Sequence, residues 1–172
     1  MRFRDTGDVV IISESDARKI IEHVKPKWKL PVKICYYYGL RSSEVMRLTP
    51  ENFRDGVFVC RRLKGGAVTR QAIHSDIREE LLELLKHRTP GTKLFPYSRQ
   101  SLYDAIHHGA RKAGVDECYA HAHAFRHAAG RRWARVGTIN EIQSMFGHRT
   151  LKMALLYSQL ACSEEISRKF LA

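Results

Sequence analysis

The chain is 172 residues long, room for one domain with a short appendage, and 44% of it is hydrophobic, which excludes a disordered chain and supplies a core. Thirty Lys and Arg against eighteen Asp and Glu leave a net charge of +12, which calls for a polyanionic partner, nucleic acid ahead of an anionic membrane surface. No apolar run reaches the roughly 20 residues of a spanning helix, Met1 to Asp5 lack a signal peptide's apolar stretch, and Cys35, Cys60, Cys118 and Cys162 form no C-x-x-C pair, so a soluble intracellular protein with reduced thiols is expected.

Residues 1–12 read as a lead-in, with Val9 to Ile12 either a short strand or part of that lead-in. Ser13 and Asp16 form a capping pair for a helix carrying Ile20, Ile21 and Val24 and ending before Pro26. Pro31 opens a second helix through Ile34, Cys35 and Tyr38, stopped by Gly39. Ser42 or Ser43 then caps a short helix with Arg41 at its mouth, either a loop arginine or a fork added to free backbone N–H donors at an anion site.

From Gly56 the period changes. The runs Val57 to Leu63 and Val68 to His74 are β-rich and flank Lys64-Gly65-Gly66-Ala67, which reads as a hairpin with Lys64 at its tip. That lysine is either a solubilising edge charge or a mobile ammonium able to follow a phosphate or protonate a leaving oxygen.

Ser75 is expected to cap a helix whose core face is Ile77, Leu81, Leu82 and Leu85, and residues 88–97 form a loop. Ser98 starts a helix with Leu102, Ala105, Ile106 and Ala110 on one side, Arg99, Arg111 and Lys112 on others, and Gly114 at its end; basic faces of this kind are either solvated or touch DNA backbone. A connector, Val115 to Ala120, leads into a helix over 122–136, a short helix from Thr138 to Gly147, and a helix from Thr150 that carries Tyr157. Ser163 caps a last piece, Glu164 to Leu171, which either folds back or docks on a neighbouring copy. The expected architecture is mainly α with a small antiparallel β-sheet, α+β, in one catalytic domain over 1–172: lead-in 1–12, core 13–160, C-terminal helix 161–172.

The chemistry gathers between His121 and Tyr157. His123 and Arg126 lie three apart and share a helical face, and Tyr157 follows His148 by nine residues on a helix that carries the phenol back toward the histidine. A phenol of pKa about 10 is a poor nucleophile without a proton acceptor and cations near its target. Arginine forks match phosphate oxygens, so tyrosine beside histidine and arginine in a basic chain points to attack on a phosphodiester, with no metal needed where guanidinium groups neutralise the charge. Two rivals remain. Cys118, His121, His123 and His127 are four zinc-competent side chains in ten residues, although their spacing fits no standard module and Arg126 would repel a dication. In the other, the cations only touch phosphates and Tyr157 is an ordinary core aromatic.

In order, Arg41 within Gly-Leu-Arg-x-x-Glu, Lys64 before Gly-Gly, His123 and Arg126 within His-Ala-Phe-Arg-His, His148 within Phe-Gly-His, and Tyr157 resemble the tyrosine recombinases, or phage-type integrases, over roughly residues 15–170. The resemblance implies a metal-free, ATP-independent transesterification on DNA without any cofactor. In it Tyr157 would form a 3′-phosphotyrosine link, Arg41 and Arg126 would clamp the phosphate, Lys64 would be the general acid, and His123 and His148 would assist proton transfer. A type IB topoisomerase would share this chemistry. His123 is preferred to His121 because it alone has the three-residue spacing to Arg126. Arg70, Arg99, Arg111, Lys112 and Arg149 are expected to bind double-stranded DNA. The family's synapsis implies a homo-tetramer on DNA, a monomer without DNA being left open, in the cytoplasm of a prokaryotic cell or infected host. The family usually places a helical DNA-gripping domain before the catalytic one, and about 40 residues precede Arg41 here, so an excised fragment or a minimal enzyme is expected.

Overall fold

The computed structural model describes residues 11–63, 67–147 and 151–171, with side chains described as far as Cys162 apart from Leu160. Helix α1 (Glu14–His23) starts where expected, the Ser13 hydroxyl accepting from the Asp16 N–H. Helix α2 (Pro26–Tyr38) begins five residues earlier than Pro31, which lies inside it. Pro26 takes the first helical position, where a missing N–H costs nothing. The continuation through Pro31 forfeits about 3 kcal/mol. It also buries Trp28 and Leu30, at about 1.5–3 kcal/mol each, so burial wins.

Helix α2 is the central rod, packed on α1, on α4 (Ser75–Lys86), on α5 (Arg99–Ala113) and on α6 (Ala122–Ala134). Gly109 lets α5 lie against α1, since a Cβ there would sit 2.7 Å from Val24 Cγ1. The cap of α4 is His74, whose Nδ1 accepts from the Asp76 N–H, rather than Ser75. Ile77 and Leu81 are fully buried while Leu82 is exposed; 82 lies five residues, about 500°, after 77 and so leaves the core face.

One face of the core is closed by a three-stranded antiparallel sheet, β1 (Phe53–Arg54), β2 (Val57–Arg61) and β3 (Val68–Ala72), in that order. Strand β1 was not anticipated, being too short for a periodic signal. In the register Phe58 faces Gln71 and Cys60 faces Thr69, and these four side chains are buried. Gln71 Nε2 donates to the Met145 carbonyl and so ties the sheet to α7 (Ile139–Phe146).

A second, smaller core lies between α6, α7 and α8 (Lys152–Leu171), where Ala129, Ile142, Phe146, Ala154 and Tyr157 pack together. Helix α8 runs without a break through Ser163, so the expected separate last piece is a continuation of the Tyr157 helix. A serine with acidic followers is an N-cap signal only where the chain arrives extended, and inside a formed helix it costs little. Gly39, at φ +59°, ends α2 directly beneath Phe146; a Cβ there would sit 2.5 Å from the Phe146 ring, so both backbone and space require glycine. Among the described residues no helix is long and apolar enough to cross a membrane.

Candidate active site

The site is built around a carboxylate. Helix α3 (Ser42–Val45) is capped by Arg41 itself, not by Ser42 or Ser43, and Glu44 in its first turn reaches back to accept the Arg41 N–H at 2.8 Å. The buried Glu44 side chain then collects cations. Its Oε1 accepts from Arg41 Nη1 at 2.9 Å and from the Leu63 N–H at 3.0 Å. Its Oε2 lies 3.5 Å from Arg62 Nη1 and 3.9 Å from Arg126 Nη1. Burial pushes the Glu44 carboxyl up, but the N–H groups of Arg41 and Leu63 and the guanidiniums of Arg62 and Arg126 outweigh it and hold it below its ordinary value.

Arg41 and Arg126 therefore converge, sharing one carboxylate although 85 residues separate them in the chain. Arg126 leaves the buried side of α6, stacks its guanidinium 4.5 Å from the Phe146 ring centre and donates to the carbonyls of Gly39 and Phe146. Burial first, and then the like charges of Arg41 and Arg62, make it harder for Arg126 to hold its proton. A site with more positive charge than its own carboxylate can balance is one that an anion relaxes.

Tyr157 comes to the same region from α8. It is fully buried, its ring against Phe146 at 5.5 Å between centres and over Gly130 of α6, where a Cβ would lie 2.5 Å from Cε2. Its hydroxyl is 2.9 Å from His127 Nδ1. Burial pushes the phenol up to about 12 despite the pull of Arg126 and Arg41, so it is protonated and needs an acceptor. Burial, with His123 and Arg126 nearby, pushes His127 down to about 4, leaving a neutral imidazole. When the phenol donates, Nδ1 is the unprotonated nitrogen.

His127 stays neutral in the fold while an unfolded chain takes up a proton near pH 6.5. The stability tied to it is therefore full above about pH 6.5 and drains as pH falls toward about 4. In His127→Gln the thermal unfolding midpoint is expected to fall less than in the unmodified chain between about pH 7 and about pH 4.5. Equal slopes in the two proteins would remove His127 from that balance.

His123 is exposed on the first turn of α6, its ring centre 6.1 Å from that of His127. It borders a cleft of about 240 Å³ lined also by Tyr103, Ile106, His121, Ala122 and Ser42, the residue after Arg41 in the chain. His121 has another task, its Nδ1 capping α6 by accepting from the Ala124 N–H. Among the described residues no group of three or more His, Cys, Asp or Glu is placed to hold a metal ion. Lys64, His148 and Arg149 lie outside the described residues. Arg70, Arg99, Arg111 and Lys112 are all exposed; Arg99 and Arg111 stand about 18 Å apart along α5, and Arg111 pairs with Glu117 at 3.7 Å. Sequence reasoning missed Arg62 and the carboxylate role of Glu44, and weighed His127 only within the zinc rival. The Glu three residues after Arg41 was the available signal.

A helical domain with a three-stranded sheet thus brings two arginines and a tyrosine to one place. The chain belongs to the phage integrase family, whose model matches residues 11–164. Its fold is that of crystallised recombinases. XerA recombinase superposes with a TM-score of 0.77 at 20% identity, covering 96% of this chain and 66% of that one. The catalytic domain of bacteriophage HP1 integrase gives 0.69 at 20% identity, with 93% of each chain covered. A lambda integrase dimer bound to a COC′ core site gives 0.68 at 16% identity, over 88% of this chain and 60% of that one. The chain thus spans about two thirds or less of the crystallised XerA and lambda chains and nearly all of the HP1 domain. No curated protein sequence matches it.

Proposed function

We propose that this chain is the catalytic domain of a site-specific DNA recombinase that cuts and rejoins strands through a 3′-phosphotyrosine intermediate. The observation that carries the reading is the convergence of Arg41 and Arg126 on Glu44 in the region where Tyr157 is seated. Tyr157 Oη attacks the scissile phosphorus; the Oη–P bond forms as the P–O5′ bond breaks. The phenol proton leaves to a neighbouring acceptor, and the departing 5′ oxygen takes a proton from Lys64. Arg41 and Arg126 hold the two non-bridging oxygens as negative charge builds, with His123 and His148 hydrogen-bonding the phosphate. Attack by the 5′-hydroxyl of a partner strand reverses the step, so the bond energy is conserved and neither ATP nor metal is called for. The substrate is double-stranded DNA, brought together by a tetramer of the protein; among the structural relatives, XerH is seen on its difH substrate in pre- and post-cleavage complexes.

A binding module without chemistry is the second reading, and the complete burial of Tyr157 favours it. The two separate on a pool of nicked suicide duplexes of randomised sequence. After denaturation, a recombinase leaves protein covalently joined to selected DNA, and digestion with trypsin places the nucleotide on the peptide Met153–Arg168, at Tyr157. Retention of duplex with no covalent species at any protein concentration would leave only the binding module.

A further inference from the structure

Three guanidinium groups meet at Glu44, and they differ in access. The Arg41 side chain is 24% exposed, that of Arg126 5%, and that of Arg62 not at all. No phosphate reaches Arg62, which nonetheless carries a charge whose burial makes its proton harder to hold.

Its partners show where that charge goes. Arg62 Nη2 donates to the Tyr38 carbonyl at 3.1 Å and to the Met145 carbonyl at 2.8 Å, and Nη1 faces Glu44 Oε2. Tyr38 ends α2 and Met145 lies in the last turn of α7, so Arg62 sits against the partly negative C-terminal ends of two helices as well as a carboxylate. Arg126 draws on the same three sources, through Gly39 and Phe146 one residue further along each helix and through the same Oε2. The stem of Arg62 also lies under Gly147, where a Cβ would be 2.6 Å from Cγ, so it packs against the turn that precedes His148.

A carboxylate beside two phosphate-binding arginines is a rival anion. Glu44 is needed to fix Arg41 and the Leu63 N–H at the root of the Lys64 segment, yet unaided it would consume half the charge of the pair. We infer that Arg62 is a positioning residue, the permanent counter-ion of Glu44 and of the two helix ends, which leaves Arg41 and Arg126 their charge for the scissile phosphate. This rests on the recombinase reading above.

The test uses the duplex selected by adduct formation, and Arg62→Met, which removes the charge and fills the space. Single-turnover adduct formation is expected to slow on the order of 100-fold while duplex affinity changes less than about threefold. On a duplex whose scissile phosphate is a methylphosphonate, where less negative charge needs clamping, the gap between Arg62→Met and the unmodified chain should shrink to within about threefold. Adding Glu44→Gln to Arg62→Met removes the uncompensated carboxylate and should restore about tenfold or more of the lost rate. An equal defect on both duplexes, or a double variant as slow as Arg62→Met, overturns the inference and leaves a merely structural arginine. If Arg62→Met does not fold, Arg62→Lys keeps the charge without the fork: a rate within about tenfold of the unmodified chain supports the counter-ion role and a slower one overturns it. Should the unmodified chain form no adduct, the recombinase reading fails by itself. The counter-ion role is then read from inorganic sulfate. The part of its stabilising effect on the melting temperature that Arg41→Ala/Arg126→Ala removes should also vanish in Arg62→Met, and its persistence overturns the role.

Discussion

Phenylalanine in place of Tyr157 is expected to eliminate the covalent protein–DNA species while leaving duplex affinity and fold intact. The ring keeps its seat against Phe146, Ala154 and the bare backbone of Gly130, since only Oη is lost. What disappears is the one atom able to bond to phosphorus, together with the partner of His127 Nδ1. A buried nitrogen left without its hydrogen bond costs about 1–3 kcal/mol, so a modest drop in melting temperature should accompany a complete loss of adduct. Both are read on one preparation, by denaturing electrophoresis and by thermal unfolding. Adduct surviving in Tyr157→Phe would move the nucleophile elsewhere and undo the assignment.

Arg126→Ala comes second. Each donor withdrawn from charge that develops in a transition state costs about 100- to 1000-fold, and Arg126 supplies a whole fork. Two helix-end carbonyls, of Gly39 and Phe146, also lose a donor, and Glu44 loses one of its cations, so stability should fall by about 1–3 kcal/mol. Arg62 and Arg41 still face the carboxylate, which is why the domain is expected to remain folded. Because the deleted group leaves a guanidinium-shaped space, guanidinium at low, non-denaturing concentration should return part of the cleavage rate to Arg126→Ala and none to Tyr157→Phe. A rate loss below about tenfold would take Arg126 out of the phosphate clamp.

Much of this is legible in the sequence. Ser13 and Ser98 as caps and Gly39, Gly114 and Gly147 as stops are local signals, and each is satisfied within a turn of the residue that gives it. The order Arg41, Arg126, Tyr157 was legible as well, because the family spacing carries it. What could not be read depends on partners far along the chain. Arg62 reads as one more residue of a β-rich run, and its burial follows from Glu44, 18 residues before it, and Met145, 83 after it. His127 entered the sequence reading only as a ligand in the zinc rival, and its partner, the Tyr157 phenol, comes to it across 30 residues. Pro31 was misread for the opposite reason: a local rule was followed where tertiary burial of Trp28 and Leu30 outweighed it. Ser163 was misread in the same way, a cap motif taken out of its context.

The notch at Gly130 offers a gauge of where the Tyr157 ring goes if the proposed chemistry holds. If the aromatic ring must come home to that hollow in every round of strand exchange, a library with all twenty amino acids at position 130 will keep glycine alone among functional clones. If the hollow is a berth occupied only before DNA arrives, alanine and serine will survive selection, and some will work faster because the ring is already evicted. A sequencing count at one codon would thus report whether the ring leaves its hollow.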